Sequence, residues 1–92
     1  MIVSFKHKGL KKFFETGSIS KIQPKHEGRV RVVLALLNAA RVIGDMDFPG
    51  SGLHPLKGKL KDHWSIIVNG NWRITFKFEN GDAYILDYID YH

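Results

Sequence analysis

The sequence ends Asp90-Tyr91-His92, three residues that hold or move protons, directly after an apolar stretch at 83–89 that reads as a strand. Loose chain ends are more often small and polar. If the strand stays regular, alternation puts Tyr88, Asp90 and His92 on one side and Ile89 and Tyr91 on the other. Asp90 could then fix the tautomer of His92 and favour its charged form. A second acid–base group is His54, in His54-Pro55-Leu56-Lys57-Gly58-Lys59, where Pro55 stiffens the chain and two lysines follow. Imidazole titrates near neutrality, and with cations nearby it suits acid–base work on a phosphodiester. A third group is Arg73, whose backbone should be held rigid by the bulky Trp72 beside it. A fixed guanidinium suits phosphate and the charge on a transferring phosphoryl group. Each has a plain structural counterpart: a frayed end, a structural histidine, a surface ion pair.

Other chemistries find less support. There is no cysteine, which removes disulfides, thiol nucleophiles and cysteine metal sites. The histidines, at 7, 26, 54, 63 and 92, include no pair at the i, i+4 spacing of a metal motif, so no metal is expected. No serine sits in a strand–turn–helix elbow. The glycines from Gly52 to Gly58 do not make a phosphate loop, because the spacing is one residue too long and Leu60 stands where Ser or Thr is required.

Fourteen Lys and Arg against nine Asp and Glu give a net charge of +5. For a small basic domain nucleic acid is the commonest partner class, with simple solubility as the alternative. Ninety-two residues make one domain, and 43% hydrophobic with 12% aromatic residues excludes a disordered tail. No signal peptide or run of ~18 apolar residues is present, so no membrane association is expected, and the cytosol fits.

The positioning elements follow from periodicity. Residues 1–5 predict a short strand. Leu10, Phe13 and Phe14 predict an amphipathic helix over 8–15, ended by Thr16-Gly17-Ser18. Val30, Val33, Leu34 and Leu37 predict a second helix from Pro24, with Gly44 as its stop and Lys25, Arg29, Arg31 and Arg41 on a polar side. A basic helix face is usually solvated; otherwise it grips RNA or an acidic protein. Residues 44–52 read as flexible, either a rim for His54 or a plain connector. Alternation then predicts strands over 64–69 and 72–78, joined by Asn69-Gly70-Asn71, and a last strand after Glu79-Asn80-Gly81-Asp82. This is an α+β fold: an N-terminal strand and two helices packed on an antiparallel C-terminal β-meander.

Leu53-His54-Pro55-Leu56-Lys57-Gly58, Trp64-Ser65-Ile66, Asn71-Trp72-Arg73-Ile74-Thr75-Phe76, Gly81-Asp82-Ala83-Tyr84 and Asp90-Tyr91-His92, with Ser4-Phe5-Lys6-His7-Lys8-Gly9-Leu10 at the start, resemble the HigB branch of RelE-type toxins. These are the toxins of type II toxin–antitoxin modules, also described as plasmid-maintenance killer proteins. The likeness runs over almost the whole chain and is most specific at Trp72-Arg73-Ile74 and at the Asp-Tyr-His end. Residues 18–23 and 44–52 match nothing diagnostic of that family.

The resemblance implies a microbial-ribonuclease-like fold with a concave basic sheet face, as a single domain over 1–92. It implies ribosome-dependent cleavage of mRNA in the aminoacyl site, without metal or cofactor, through attack of the 2′-hydroxyl on the adjacent phosphate. Carried over by position, the catalytic set is His54, Lys57, Arg73, Asp90, Tyr91 and His92, with Lys59, Lys61 and Lys77 binding RNA. One of His54 and His92 takes the proton of the 2′-hydroxyl and the other protonates the leaving oxygen. Arg73 and Lys57 stabilise charge, Asp90 orients a histidine, and Tyr91 stacks on or positions a base. The implied partners are a helix-turn-helix antitoxin, the small-subunit rRNA of the ribosome and mRNA, with operator DNA reached only through the antitoxin and no membrane. The rival readings are a non-catalytic RNA- or ribosome-binding protein and a protein-interaction module using the same basic face.

Overall fold

The structure is a computed structural model, which describes residues 1–91. Helix α1, Lys8–Thr16, starts where the His7 ring accepts the Leu10 amide through Nδ1 at 2.9 Å and ends at Gly17, whose positive φ closes the last turn onto the Phe13 carbonyl. A 3-10 turn, Pro24–His26, leads into α2, Glu27–Ala39. Strands β1 (His54–Pro55), β2 (His63–Asn69), β3 (Trp72–Glu79) and β4 (Asp82–Asp90) form one antiparallel sheet in that order. Leu10 and Phe13 of α1 and Val30, Val33, Leu34 and Leu37 of α2 bury one sheet face, meeting Ile66, Val68, Ile74, Phe76, Leu86 and Tyr88. Among the described residues the other face carries no helix and is left to the polar alternation of the strands.

The expected α+β architecture is the observed one, with differences at four places. The N-terminal strand is reduced to two isolated parallel bridges beside β4, Ile2 with Ala83 and Phe5 with Leu86. The ladder breaks between them because the Ile85 amide bonds to the Ser4 hydroxyl at 2.9 Å instead of to a backbone carbonyl. Helix α2 stops at Ala39 and not at Gly44, which lies inside a second 3-10 turn, Ile43–Met46. There the Asp45 carboxylate accepts the amides of Arg41 at 2.9 Å and Val42 at 3.3 Å, offering the backbone a partner outside the helix. These same bonds hold its carboxyl below the usual range.

The stretch at 44–52 is a packed connector and not a loose one. Met46 and Ser51 are fully buried, and the Ser51 carbonyl accepts the Ile67 amide at 2.8 Å, extending the edge pairing of β1. Arg29, read as part of a solvated helix face, reaches across to bond the carbonyls of Ile67 at 3.1 Å and Gly50 at 2.7 Å, and lies over the Phe48 ring. Gly52 has φ +57°, and a Cβ there would collide with the Ile67 side chain. Arg29→Ala is expected to free this segment: exchange of the Ile67 amide, followed by NMR, should speed up about tenfold while the β3 amides keep their protection.

Strand β4 is irregular at one residue. Register runs Lys77 with Tyr84 before the break and Thr75 with Asp87 after it, so Phe76 faces two residues, Ile85 and Leu86. Ile85 takes the extra position with φ +57°, a left-handed conformation that a β-branched side chain rarely adopts. Such strain is worth about 1–3 kcal/mol and persists only where surrounding bonds hold it. Here Ser4 does so, its hydroxyl taking the Ile85 amide and its carbonyl the Leu86 amide.

Candidate active site

The open sheet face is laid out in rows by the strand register. His54, Ser65, Thr75 and Asp87 form one row across β1 to β4. The next row toward the β2–β3 turn holds Ile67, Arg73 and Ile89, and beyond it the Tyr91 amide bonds to the Asn71 carbonyl at 2.8 Å. His54 is exposed at the edge, whereas Ser65 and Thr75 in the middle are buried, making a small-residue floor between larger side chains. With strands about 4.8 Å apart and about 3.3 Å of rise per residue, the Cα atoms of His54 and Arg73 stand about 12 Å apart. Two long side chains on one face at that spacing can reach a phosphate between them.

Arg73 is held by its own turn: Nη1 donates to the carbonyls of Gly70 and Trp72. Among the described residues its Nε and Nη2 have no partner, which leaves one edge of the guanidinium for an anion. Tyr91, 46% exposed, continues the pairing of β4 with β3 opposite Asn71, which makes it a diagonal neighbour of Arg73 on the same face. Asp90 is different. It pairs with Trp72, so backbone register puts it on the helix side of the sheet end, not beside Arg73. Lys57 is exposed in the connection after β1, and no strand pairing ties it to the others. His92 lies outside the described residues. Lys77 is on the open face, between His63 and Tyr84, while Lys59 and Lys61 are exposed in and just after the 3-10 turn Gly58–Leu60. The register therefore gathers His54, Arg73 and Tyr91 on one face, with Lys77 farther along it.

Arg73 and Lys77, the cations that the register places on this face, are not spent on carboxylates in ion pairs among the described residues. Among the described residues three ion pairs form: the N-terminal ammonium with Asp82, Lys6 with Asp87, and Arg31 with Glu27. None involves Lys57, Lys59, Lys61, Arg73 or Lys77. Asp87 is the carboxylate within the His54 row; Lys6 stands 4.0 Å from it and the Tyr88 amide donates to its Oδ1 at 3.0 Å. Sequence reasoning passed over Asp87, although alternation from the buried Leu86 and Tyr88 would have placed it on the open face.

A second feature was also passed over. His26 is buried at the core side of the sheet end, with Nδ1 2.5 Å from the Tyr88 hydroxyl. Gln23 donates its amide to that hydroxyl at 3.4 Å, which favours Oη–H donating to Nδ1. Trp72 stacks on Tyr88 with centroids 4.6 Å apart and meets the edge of His26. Among the described residues the buried Nε2 has no partner. The cluster locks β3 to β4 directly behind Arg73.

Burial, and then the charge of Lys25, pull the His26 pKa below 6.5. The unfolded chain therefore binds a proton at this residue that the folded chain refuses, and stability falls as pH drops below 6.5 toward the folded pKa. The slope contributed by one such group approaches about 1.4 kcal/mol per pH unit. His26→Gln keeps a hydrogen-bonding group without a titration, so urea midpoints taken between pH 7 and pH 5 should fall less steeply than in the wild type.

Among the described residues no helix is long and apolar enough to cross a membrane. Two solved structures share the fold over nearly the full chain. The YoeB-YefM complex from Staphylococcus aureus matches with a TM-score of 0.60 over 97% of this chain and 95% of that one, at 12% identity. The conserved hypothetical protein HP0894 from Helicobacter pylori matches with a TM-score of 0.51 over 96% and 94%, at 16% identity. Helices on one face of an antiparallel sheet are thus a fold that this chain shares with both. The family model described as RelE-like toxin of type II toxin-antitoxin system HigB matches residues 3–92, and the chain belongs to that family. It is 51% identical to the endoribonuclease HigB of Proteus vulgaris over the whole of both chains. It is 33% identical to toxin HigB-1 of Vibrio cholerae over all of this chain and 98% of that protein.

Proposed function

We propose that this toxin is a ribosome-dependent endoribonuclease that cuts mRNA in the aminoacyl site and so halts translation in the cytoplasm, held in check by a cognate helix-turn-helix antitoxin. The observation that carries this reading is the 51% identity, over the whole of both chains, to a protein named as an endoribonuclease. The bare sheet face supports it, because that face combines an exposed imidazole, a partly committed guanidinium and the Lys77 ammonium, which forms none of the ion pairs among the described residues.

The chemistry needs one base, one acid and a cradle for charge. A neutral imidazole, His54 or His92, takes the proton of the 2′-hydroxyl, and the 2′-oxygen attacks the adjacent phosphorus. The bond from phosphorus to the 5′-oxygen breaks as the other histidine, protonated, gives its proton to that oxygen. A 2′,3′-cyclic phosphate and a 5′-hydroxyl result, and the charge on the non-bridging oxygens is met by the open edge of Arg73 and by Lys57. Tyr91 lies near Arg73 to pack against a base, and Asp90, next to Trp72, orients a histidine from the sheet end. Lys59, Lys61 and Lys77 hold the RNA backbone.

End-group analysis tests this reading. Purified protein added to ribosomes programmed with mRNA should leave 2′,3′-cyclic phosphate ends, with and without a metal chelator. Ends carrying 3′-hydroxyl and 5′-phosphate would refute the proposed chemistry.

A further inference from the structure

The bulge at Ile85 decides which way Tyr84 points. Alternation counted back from Leu86, Tyr88 and Asp90 would put an even-numbered Tyr84 on the helix-packed face. The extra residue at Ile85 reverses the count, burying Ala83 in the core and pairing Tyr84 with Lys77 on the open face. Lys77 in turn pairs with His63, so one row across β2, β3 and β4 reads His63, Lys77, Tyr84. All three are half-buried, which leaves each a solvent-facing part. Among the described residues the Tyr84 hydroxyl and the Lys77 ammonium have no hydrogen-bond or ion-pair partner, and His63 makes one long contact, Nδ1 to the Lys61 carbonyl at 3.3 Å. Bulges near functional faces re-aim a side chain, and a strained residue is kept where its consequence is used. Ser4 holds this one from the neighbouring segment.

We propose that Tyr84, Lys77 and His63 form a nucleotide subsite for single-stranded RNA beside the reacting step. The row lies two residues along the strands from the His54 row, about 7 Å away, within reach of the adjoining nucleotide. Tyr84 offers a flat aromatic surface to a base, and Lys77 and His63 face the phosphate that follows it. Stacking on an aromatic ring is tolerant of base identity, so the subsite adds affinity for the strand more than choice of sequence. This inference rests on the endoribonuclease reading above.

The test is mRNA cleavage on programmed ribosomes by the wild type, Tyr84→Ala, Tyr84→Phe and Lys77→Ala, with thermal melts for each. Tyr84→Ala is expected to raise the half-saturating concentration of programmed ribosomes about tenfold or more, with the loss in KM and not in kcat. Tyr84→Phe, which keeps the ring, should restore it to within about threefold of the wild type, and Lys77→Ala should raise it about threefold or more. Unchanged KM in both Tyr84→Ala and Lys77→Ala overturns the subsite while leaving the endoribonuclease reading intact. Equal losses in Tyr84→Ala and Tyr84→Phe overturn the stacking role. Weakened binding of the antitoxin with normal cleavage would assign the row to that protein and also overturn the proposal. A wild type that cuts no mRNA removes the function and the subsite together.

Discussion

Replacing His54 with glutamine should lower mRNA cleavage on programmed ribosomes about 10²–10⁴-fold while leaving the melting temperature unchanged. The magnitude is that of a positioned acid–base group. The unchanged melt follows from position: His54 is exposed on the two-residue edge strand β1, outside the buried core. Its backbone pairs with Ser65, and that pairing does not depend on the ring. Glutamine keeps size and polarity but cannot exchange a proton near neutrality, so the variant separates chemistry from binding. A folded His54→Gln protein that cleaves at the wild-type rate would remove His54 from the mechanism. A variant that binds programmed ribosomes normally but does not cut would agree with an acid–base role and disfavour a purely RNA-binding face.

Leu86→Asp should unfold the domain. Leu86 is fully buried beside Phe76, at the bulge where two residues of β4 face one of β3. Its amide donates to the Ser4 carbonyl, and its own carbonyl accepts from the amides of Lys6 and His7, so the N-terminal segment is tied to β4 through this residue. An aspartate there loses the contacts of the leucine and places an unpaired carboxylate in the core. Such substitutions exceed about 4 kcal/mol, against a total of about 5–15 kcal/mol for a typical domain. Circular dichroism at 25 °C should show loss of the native signal. A cooperative melt close to that of the wild type would mean that Leu86 is not part of the core that holds the domain together.

Much of this arrangement can be read from the residues. The i, i+3, i+4 spacing of Leu10, Phe13 and Phe14 and the alternation from Trp72 to Phe78 dictate α1 and β3 directly, because each element buries one face, though Phe14 itself stays exposed at the margin of its stripe. Three features resisted such reading for a common reason, that each depends on one side chain bonding to backbone groups, which periodicity does not register. Asp45 ends α2 by taking the amides of Arg41 and Val42, and a C-terminal glycine signal at Gly44 competes with it on paper. Arg29 looks like one more solvent-facing cation until its guanidinium finds the carbonyls of Ile67 and Gly50. The bulge at Ile85 has no local signature, since neither glycine nor asparagine marks the left-handed position; it depends on Ser4, 81 residues away. Of the candidate catalytic side chains, alternation alone puts Arg73 and Tyr91 together. Asp90 falls on the opposite face, where its pairing with Trp72 puts it at the end of the sheet.

The central claim is that the bare sheet face cuts mRNA held in the ribosome. It is tested most directly by primer extension on cellular mRNA after induced expression, paired with the same transcript incubated with purified protein in the absence of ribosomes. The expected result is a set of cuts in codon phase within translated regions, and none on the free transcript. Cuts without codon phase, or equal cutting of the free transcript, would contradict it.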